Sequence, residues 1–245
     1  MEIRGAKLEE KAVWDRFVKD HYPPVGAFMQ SWGWGEFQEA LGRRAERYMI
    51  RRGGEIIALF TLVHHALPFG FSYGYVPRGP VVAKDKAGTE SSIGLFNAIR
   101  KWARGAFPGL IFLRLEPPMD SFEFSALPVG FYVPPYYVQP RYNLTVPLEG
   151  SEEEIAGRFH SSTRSNIRRA ENRGVTVVVK SSMDESEYRD FFAMIKDTTD
   201  RTKGKNVYPS EAYLRALIKT VAPVSEDHNP HELSLGIFFG YQHEK

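Results

Sequence analysis

The sequence lacks the residues that several classes of protein depend on. None of its 245 residues is a cysteine, which excludes disulfide bonds and catalysis by a thiolate. The formal net charge is only +2, so any electrostatic signal of nucleic-acid binding has to be local. The longest dense apolar run, residues 56–63, is far shorter than the roughly 20 residues of a membrane-spanning helix. Because the N-terminus shows no signal-peptide pattern, we expect a cytoplasmic protein.

Common catalytic and metal-binding motifs are missing as well. The sequence contains no P-loop, no GxGxxG turn and no HExxH or comparable ligand spacing. His64 and His65 are neighbours in a predicted strand and point to opposite faces, so we predict no metal site. The segment GFSYG matches a nucleophile elbow around Ser72, but Pro77 follows where that elbow needs a helix. A serine within a strand is the simpler interpretation.

The sequence does contain an alternation of helices and strands that occurs twice. With 42% hydrophobic and 25% charged residues, it has the composition of a globular protein with a substantial core. The first half reads as helices, a hairpin through Gly53 and Gly54, a helix and a strand. The break falls near residues 147–150, so we predict domains at 1–147 and 148–245. Since the second half ends after a strand that should begin its sheet, we expect that domain to be incomplete.

Helix-capping patterns set the predicted boundaries in the second half. The segment SEEE at residues 151–154 is a capping box and predicts one helix that continues to Gly174. The segment SMDE at residues 182–185 is a second box, for a helix that ends near Lys203. A strand is predicted before the first box, over residues 142–149.

One stretch of the second half carries an unbalanced positive charge. Within FHSSTRSNIRRAENRGVTV, residues 159–177, four arginines are accompanied by a single acid, Glu171. Arginines four positions apart share a helix face, so this ridge can neutralise several phosphates, with an affinity that falls steeply with salt. The alternative is a solvated face that pairs with acids of the first domain. The four residues are Arg164, Arg168, Arg169 and Arg173.

Four stretches, taken in order, resemble the FemA/FemB/FemX family of peptidoglycan aminoacyltransferases. They are QSWGWGEFQEALG, YVPRGPVV, FLRLEPP, and the arginine-rich segment followed by FFAMIKDTTDRTKGKNVYPSEAYLRAL. The resemblance covers nearly the whole chain. It implies an α/β (α+β) fold of tandem N-acetyltransferase-like (GNAT) domains with a cleft between them, the second domain being incomplete.

The resemblance also implies a reaction. An aminoacyl group would move from aminoacyl-tRNA to the stem-peptide amine of a peptidoglycan precursor, either UDP-MurNAc-pentapeptide or lipid II, and build the interpeptide bridge. The ester of aminoacyl-tRNA is already activated, so bringing the reactants together supplies much of the rate. We therefore expect no cofactor, with aminoacyl-tRNA as co-substrate. The sequence leaves contact with a membrane surface and a homodimer open.

The resemblance assigns the catalytic role to a carboxylate of the first domain. Glu116 matches the acidic residue proposed to orient the acceptor amine or to take its proton. It ends a predicted strand at a Pro-Pro break, so its side chain can face a cleft. The alternative is that Glu116 pairs with Arg114.

Other residues are implied in binding the two substrates. Arg201 matches a second-domain residue that binds the diphosphate, and Tyr208 is near enough in sequence to help. Gln38 stands where the best-known relatives carry a lysine, so it can contact a phosphate without adding charge. Arg78 either compensates for that charge or braces its own turn. The arginine ridge would bind tRNA.

Two other functions compete with this interpretation. An acyl-CoA N-acyltransferase could share the fold, but the turn that holds the pyrophosphate of acetyl-CoA ends in the wrong residue at 51–56 and at 201–206. A non-catalytic RNA-binding or adaptor module is favoured by the arginine ridge. The lack of RNA-stacking aromatic motifs argues against that module.

Overall fold

The chain divides into two compact units. The first is formed mainly by Met1–Asn143 and the second mainly by Leu144–Ile218 with Ser234–Lys245. The division predicted at residues 147 and 148 stays a prediction. The computed structural model describes residues 1–22, 27–86, 89–118, 127, 129–140, 146–204, 208–223 and 234–242. Among these residues, no helix combines the length and the apolar composition needed to cross a lipid bilayer.

The first unit is built on a mostly antiparallel sheet of six strands. They are β1 (Glu2–Gly5), β2 (Ala45–Arg52), β3 (Glu55–Ala66), β4 (Ser72–Val76), β5 (Val81–Val82) and β6 (Leu110–Leu115). The order is β1-β2-β3-β4-β6, with β5 paired to β3. The predicted hairpin is confirmed, because β2 and β3 are joined by Gly53 and Gly54 with φ of 58° and 86°. Such positive values suit the tight two-residue turns of hairpins.

Helices pack on both faces of this sheet. They are α1 (Lys11–His21), α2 (Trp32–Ala40) and α3 (Thr89–Ala106). One core cluster joins Trp14 of α1 to Leu59 of β3, and the other joins Ile99 of α3 to Phe60 of β3. Since neighbouring residues of β3 serve opposite cores, this strand is apolar over most of its length rather than alternating.

Four α-helices follow within the described residues of the rest of the chain. They are α4 (Glu152–Gly157), α5 (Ser161–Asn172), α6 (Glu185–Arg201) and α7 (Glu211–Thr220). The capping box at residues 151–154 is confirmed, with Ser151 Oγ accepting from the Glu154 amide at 3.2 Å. The single helix predicted to continue to Gly174 is wrong. The helix is interrupted after α4. His160 Nδ1 then accepts from the Ser162 amide at 3.3 Å and caps α5.

The second predicted capping box is displaced by two residues. The N-cap of α6 is Asp184 and not Ser182, because the Asp184 carboxylate accepts from the amides of Ser186 at 2.8 Å and Glu187 at 2.9 Å. The Glu187 carboxylate in turn accepts from the Asp184 amide at 2.9 Å. With the helix starting after Asp184, the side chain of Tyr188 faces inward. The centroid of its ring lies 3.9 Å from the guanidinium carbon of Arg215.

Two pairs of short strands complete the described second unit. β7 (Val175–Lys180) pairs antiparallel with β10 (Ile237–Gln242), and β8 (Ala222–Pro223) pairs in parallel with β9 (Ser234–Leu235). The strand predicted over residues 142–149 is wrong for 146–149, which are irregular, and its remainder lies outside the described residues. The β7–β10 ribbon leaves large apolar side chains exposed, among them Val177 and Phe238.

Candidate active site

The ends of β4 and β6 bring four polar side chains together. The two strands pair in parallel, with Tyr75 opposite Arg114, so their C-terminal ends meet at one edge of the sheet. Glu116 follows directly after β6, and its Oε2 accepts from Tyr75 Oη at 2.6 Å. Its Oε1 accepts from Arg114 Nε at 3.1 Å. Gln139 Nε2 donates to Tyr75 Oη at 3.3 Å and completes what we call the Glu116 cluster.

The Glu116 cluster is largely shielded from solvent. The side chains of Arg114 and Glu116 are each 14% exposed. Burial, reinforced by the hydrogen bond to Glu116, raises the pKa of Tyr75, so its hydroxyl stays protonated and donates. The ion pair between Glu116 and Arg114, which the sequence offered as the alternative to a catalytic role, is present in the structure. The catalytic role of Glu116 stays a prediction, and a carboxylate oxygen such as Oε2 can accept more than one hydrogen bond.

Arg78 lies in the turn that follows β4, next to the Glu116 cluster. The amide of Glu116 donates to the carbonyl oxygens of Gly79 at 3.0 Å and Val76 at 3.3 Å, which ties the turn to β6. Arg78 itself has a φ of 50°, and its Nη2 donates to the carbonyl oxygen of Pro140 at 2.8 Å. That hydrogen bond agrees with the alternative in which Arg78 stabilises its own turn. A contact between a substrate phosphate and the remaining N–H groups of Arg78 stays a prediction.

A buried hydroxyl group belongs to the same neighbourhood. Tyr22, just past the end of α1, is 4% exposed, and within the described part of the chain its Oη has no hydrogen-bond partner. Burial raises the pKa of Tyr22, while the charges of Arg78 and Glu116 act on it in opposite directions. The hydroxyl is therefore neutral.

Gln38 is placed differently from the prediction. It is 2% exposed, and its Oε1 accepts from Arg43 Nη1 at 2.7 Å. This burial argues against the predicted contact between Gln38 and a diphosphate, because the amide does not reach the surface. Arg43 is exposed and forms no ion pair with any residue that the structure describes. Gln38 thus fixes the orientation of the exposed Arg43 guanidinium next to α2.

The arginine ridge is only partly free to bind a ligand. Arg164 is half-buried and its Nη1 donates to the carbonyl oxygens of Gly157, at 3.3 Å, and Phe159, so it braces the break between α4 and α5. Arg168, Arg169 and Arg173 are exposed. Their side chains form no ion pair or hydrogen bond with other residues in the described ranges of the chain. The binding of tRNA by the ridge stays a prediction, with Arg164 acting in support of the helix.

The two remaining candidates lie in the second unit. Arg201 is the last residue of α6 and is exposed, as a residue that reaches a ligand from a helix end should be. Tyr208 is 39% exposed and precedes α7. That Arg201 and Tyr208 join Glu116 around one substrate stays a prediction.

The motifs rejected from the sequence have structural explanations. Ser72 begins β4, and the strand is followed directly by a turn and β5 and not by a helix. His64 Nε2 lies 2.7 Å from Glu46 Oε2, whereas His65 stacks on Tyr73 with ring centroids 4.8 Å apart. No group of three or more potential metal ligands occurs among the residues covered by the structure.

Sequence reasoning missed the residues that hold Glu116 in place. Tyr75 and Gln139 have no motif of their own. Tyr75 could have been found from the alternation of Tyr73 and Tyr75 along one strand, since both side chains then lie on one face. The contact of Gln139 with Tyr75 spans 64 residues, and no local pattern reports it.

The chain is similar to proteins of peptidoglycan synthesis. The model of the FemAB family matches residues 121–222. The lipid II:glycine glycyltransferase of Staphylococcus aureus is 26% identical over 202 residues, which are 76% of this chain and 45% of the relative. The same enzyme from the USA300 strain matches to the same extent. This chain thus spans about half the length of the curated relatives it matches.

The fold has a solved counterpart. The crystal structure of FemX matches with a TM-score of 0.66 and 23% sequence identity, over 90% of this chain and 55% of that one. The predicted α/β class is therefore confirmed, and the fold is similar to that of FemX. The family model, the similarity to the curated relatives and the fold agree with the resemblance of the four motifs to the FemABX family.

Proposed function

We propose that this chain provides the catalytic region of an aminoacyltransferase that adds an amino acid to the stem-peptide amine of a peptidoglycan precursor. The observation that carries the proposal is the similarity to lipid II:glycine glycyltransferase over 76% of the chain. Glycine is accordingly the first candidate for the transferred residue, and lipid II for the acceptor. Aminoacyl-tRNA is the proposed donor, with no other cofactor. A lipid-linked acceptor would bring the chain to the cytoplasmic membrane surface.

The proposed chemistry is aminolysis of an ester. The acceptor amine attacks the ester carbonyl carbon of aminoacyl-tRNA, the new C–N bond forms, and the bond to the ribose oxygen breaks. The amine proton ends on that ribose oxygen. Positioning both reactants supplies several kcal/mol of the barrier, so no covalent intermediate on the protein is needed.

The Glu116 cluster suits the acceptor side of this reaction. A carboxylate held by Tyr75 and Arg114 has a fixed orientation, and an ammonium or amine N–H can donate to its remaining lone pairs. In this proposal Glu116 aligns the amine and receives its proton on the way to the ribose oxygen. Arg78 and Arg43 are the cations of the first unit proposed to contact the precursor's diphosphate.

The exposed arginines of α5 suit the donor side. Arg168, Arg169 and Arg173 carry charge that is not neutralised within the described residues, and tRNA offers a continuous row of phosphates. Arg201 and Tyr208 are proposed to bind the precursor from the second unit. A homodimer stays a prediction, since no contact between copies supports it.

A transfer assay tests the proposal. The purified chain is incubated with radiolabelled glycyl-tRNA and either lipid II in detergent or UDP-MurNAc-pentapeptide, and label in the precursor is measured. We expect label in one acceptor and none when its stem-peptide amine is acetylated. Binding of glycyl-tRNA without transfer to either acceptor would contradict the proposal and favour an adaptor. A tight binding isotherm for coenzyme A would instead favour an acyl-CoA N-acyltransferase.

A further inference from the structure

Gln30 is a fully buried glutamine whose side chain connects the sheet to the turn after β4. It ends a short 3-10 turn at Ala27–Gln30 and is 0% exposed. Its Oε1 accepts from the Thr61 amide at 2.8 Å, and its Nε2 donates to the carbonyl oxygen of Pro77. These contacts span 31 and 47 residues of sequence.

The backbone of Gln30 is fixed as firmly as its side chain. Its carbonyl oxygen accepts from Trp14 Nε1 at 2.7 Å, inside the core cluster that α1 contributes to. The amide group therefore has little freedom to follow the turn if the turn moves. Every described polar atom of the Gln30 side chain is used in holding the turn against β3.

The turn packs against Gln30 without spare room. A Cβ atom on Gly79 would lie 2.8 Å from Gln30 Cδ and Nε2, closer than real side chains approach. Arg78, the residue before it, adopts a φ of 50°, which is uncommon for a residue with a side chain. The carbonyl oxygen of Gly79 in turn accepts from the Glu116 amide at 3.0 Å.

These contacts form a continuous path from the core to the candidate catalytic carboxylate. Gln30 fixes the carbonyl of Pro77 and the position of Gly79, and Gly79 fixes the backbone of Glu116. The same turn sets the direction in which Arg78 leaves the surface. Gln30 itself is too deeply buried to touch a substrate.

We infer that Gln30 is a positioning residue for the acceptor site, which it aligns through the turn at residues 77–80. The inference rests on the proposed function for its kinetic consequence. An apolar side chain of similar length would leave the Pro77 carbonyl and the Thr61 amide unpaired in the core. The turn would then relax, and Glu116 and Arg78 would lose their common orientation. Misplacing a catalytic group by about 1 Å can cost about 100-fold in rate.

Two substitutions test the inference from opposite sides of the contact. Gln30→Met removes both hydrogen bonds and keeps the volume. Gly79→Ala keeps Gln30 and pushes a methyl group against its amide. Ile99→Ala is the control for lost stability, because it opens the core beside α3 and leaves the side-chain hydrogen bonds of Gln30 intact. Gly105→Ala is the control for a glycine substitution, since no atom lies within 4 Å of the added Cβ.

The first measurement is amide hydrogen exchange at Glu116, which needs no substrate. We expect the protection of this amide to fall about tenfold further in Gln30→Met and Gly79→Ala than in the two controls, as expected for one weakened hydrogen bond. Equal protection in Gln30→Met and Ile99→Ala would overturn the inference, because Gln30 would then contribute stability alone.

The second measurement is the transfer rate. We expect kcat to fall about 10–100-fold in both turn variants, with KM for aminoacyl-tRNA unchanged. The losses in the double variant should be less than multiplicative, because both changes displace the same turn. A kcat in Gln30→Met equal to that of Ile99→Ala would overturn the inference. If the unaltered chain transfers nothing while the exchange result holds, the proposed function fails and the positioning of Glu116 by Gln30 stands.

Discussion

The two units of this chain are stabilised to very different degrees. The first has a six-stranded sheet with a core on each face, whereas Tyr188 is the one buried hydrophobic side chain in the described part of the second. The first unit also contains the Glu116 cluster and its buried support, and the second carries the exposed arginines of α5. The candidate group that needs an exact position thus lies on the unit with the larger buried core, and the exposed arginines lie on the unit with little buried apolar surface.

The largest effect expected from this comparison is on stability. Phe60→Ala should lower the free energy of unfolding of the first unit by about 3–5 kcal/mol, because Phe60 of β3 is 0% exposed and belongs to the core cluster that α3 covers. Phe238→Ala, the same change at a side chain that is 72% exposed, should alter stability by less than about 0.5 kcal/mol. Denaturant unfolding followed by tryptophan fluorescence measures the loss in Phe60→Ala, since all four tryptophans lie in the first unit. Unfolding followed by far-UV circular dichroism, which reports on both units, measures the change in Phe238→Ala. Equal losses would contradict the comparison.

The next effect is on catalysis and separates the roles of the units. Glu116→Gln should lower kcat about 100-fold or more, because an amide neither takes a proton nor pairs with Arg114 as an anion. Glu46→Gln is the matched control, since Glu46 pairs with Arg44 and His64 on the same sheet but away from the Glu116 cluster. Its kcat should stay within about twofold of the unaltered chain. A similar kcat for the two variants would remove Glu116 from the mechanism.

A smaller effect is expected at the arginines of the second unit. Arg168→Gln with Arg169→Gln should reduce the slope of log affinity for tRNA against log salt by up to about 2, one for each lost phosphate contact. The kcat at saturating tRNA should not change. Arg173→Gln should reduce the slope by about 1, whereas Arg164→Gln should lower the melting temperature, since Arg164 braces α4 to α5. An unchanged slope in the double variant would show that this face does not bind tRNA.

The smallest effect concerns pH and the N-terminal edge of the first unit. The hydrogen bonds from Arg4, one of them 2.8 Å long, hold the pKa of Glu10 at about 2, below its ordinary 4.5. Because the folded-state pKa is the lower one, the stabilisation is complete above about pH 4.5 and is lost as the pH falls towards 2. Glu10→Gln should remove this pH dependence and cost at most about 1 kcal/mol at pH 7. Unfolding curves between pH 2 and pH 7 measure it, and parallel curves for both proteins would contradict the assignment.

Much of the first unit is predictable because its signals are local. The pair Gly53 and Gly54 gives the hairpin, and the Pro-Pro break after Glu116 ends β6. In the second half the capping patterns predict the existence of helices better than their boundaries. Asp184 and Ser182 are both good caps, and the choice is made by Tyr188, which must face inward.

The parts that escaped prediction depend on contacts distant in sequence. The interruption between α4 and α5 is stabilised by the guanidinium of Arg164, which lies within α5. A capping box at the start of α4 indicates where that helix begins but not where it ends. The burial of Gln38 follows from the packing of α2 on β2 and β3, which a helical pattern does not specify. Gln30 is a single polar residue in an apolar setting, and its partners Thr61 and Pro77 become visible only when the sheet is assembled.

The parallel pairing of β4 and β6 has a consequence for how activity is acquired. The hairpin of β2 and β3 closes through neighbouring residues, whereas β4 reaches β6 only after the chain has crossed over through α3. Pairings of higher contact order are slower to form. If the chain has the proposed transfer activity, we expect that activity to return during refolding later than the hairpin forms, because it requires the pairing of β4 with β6.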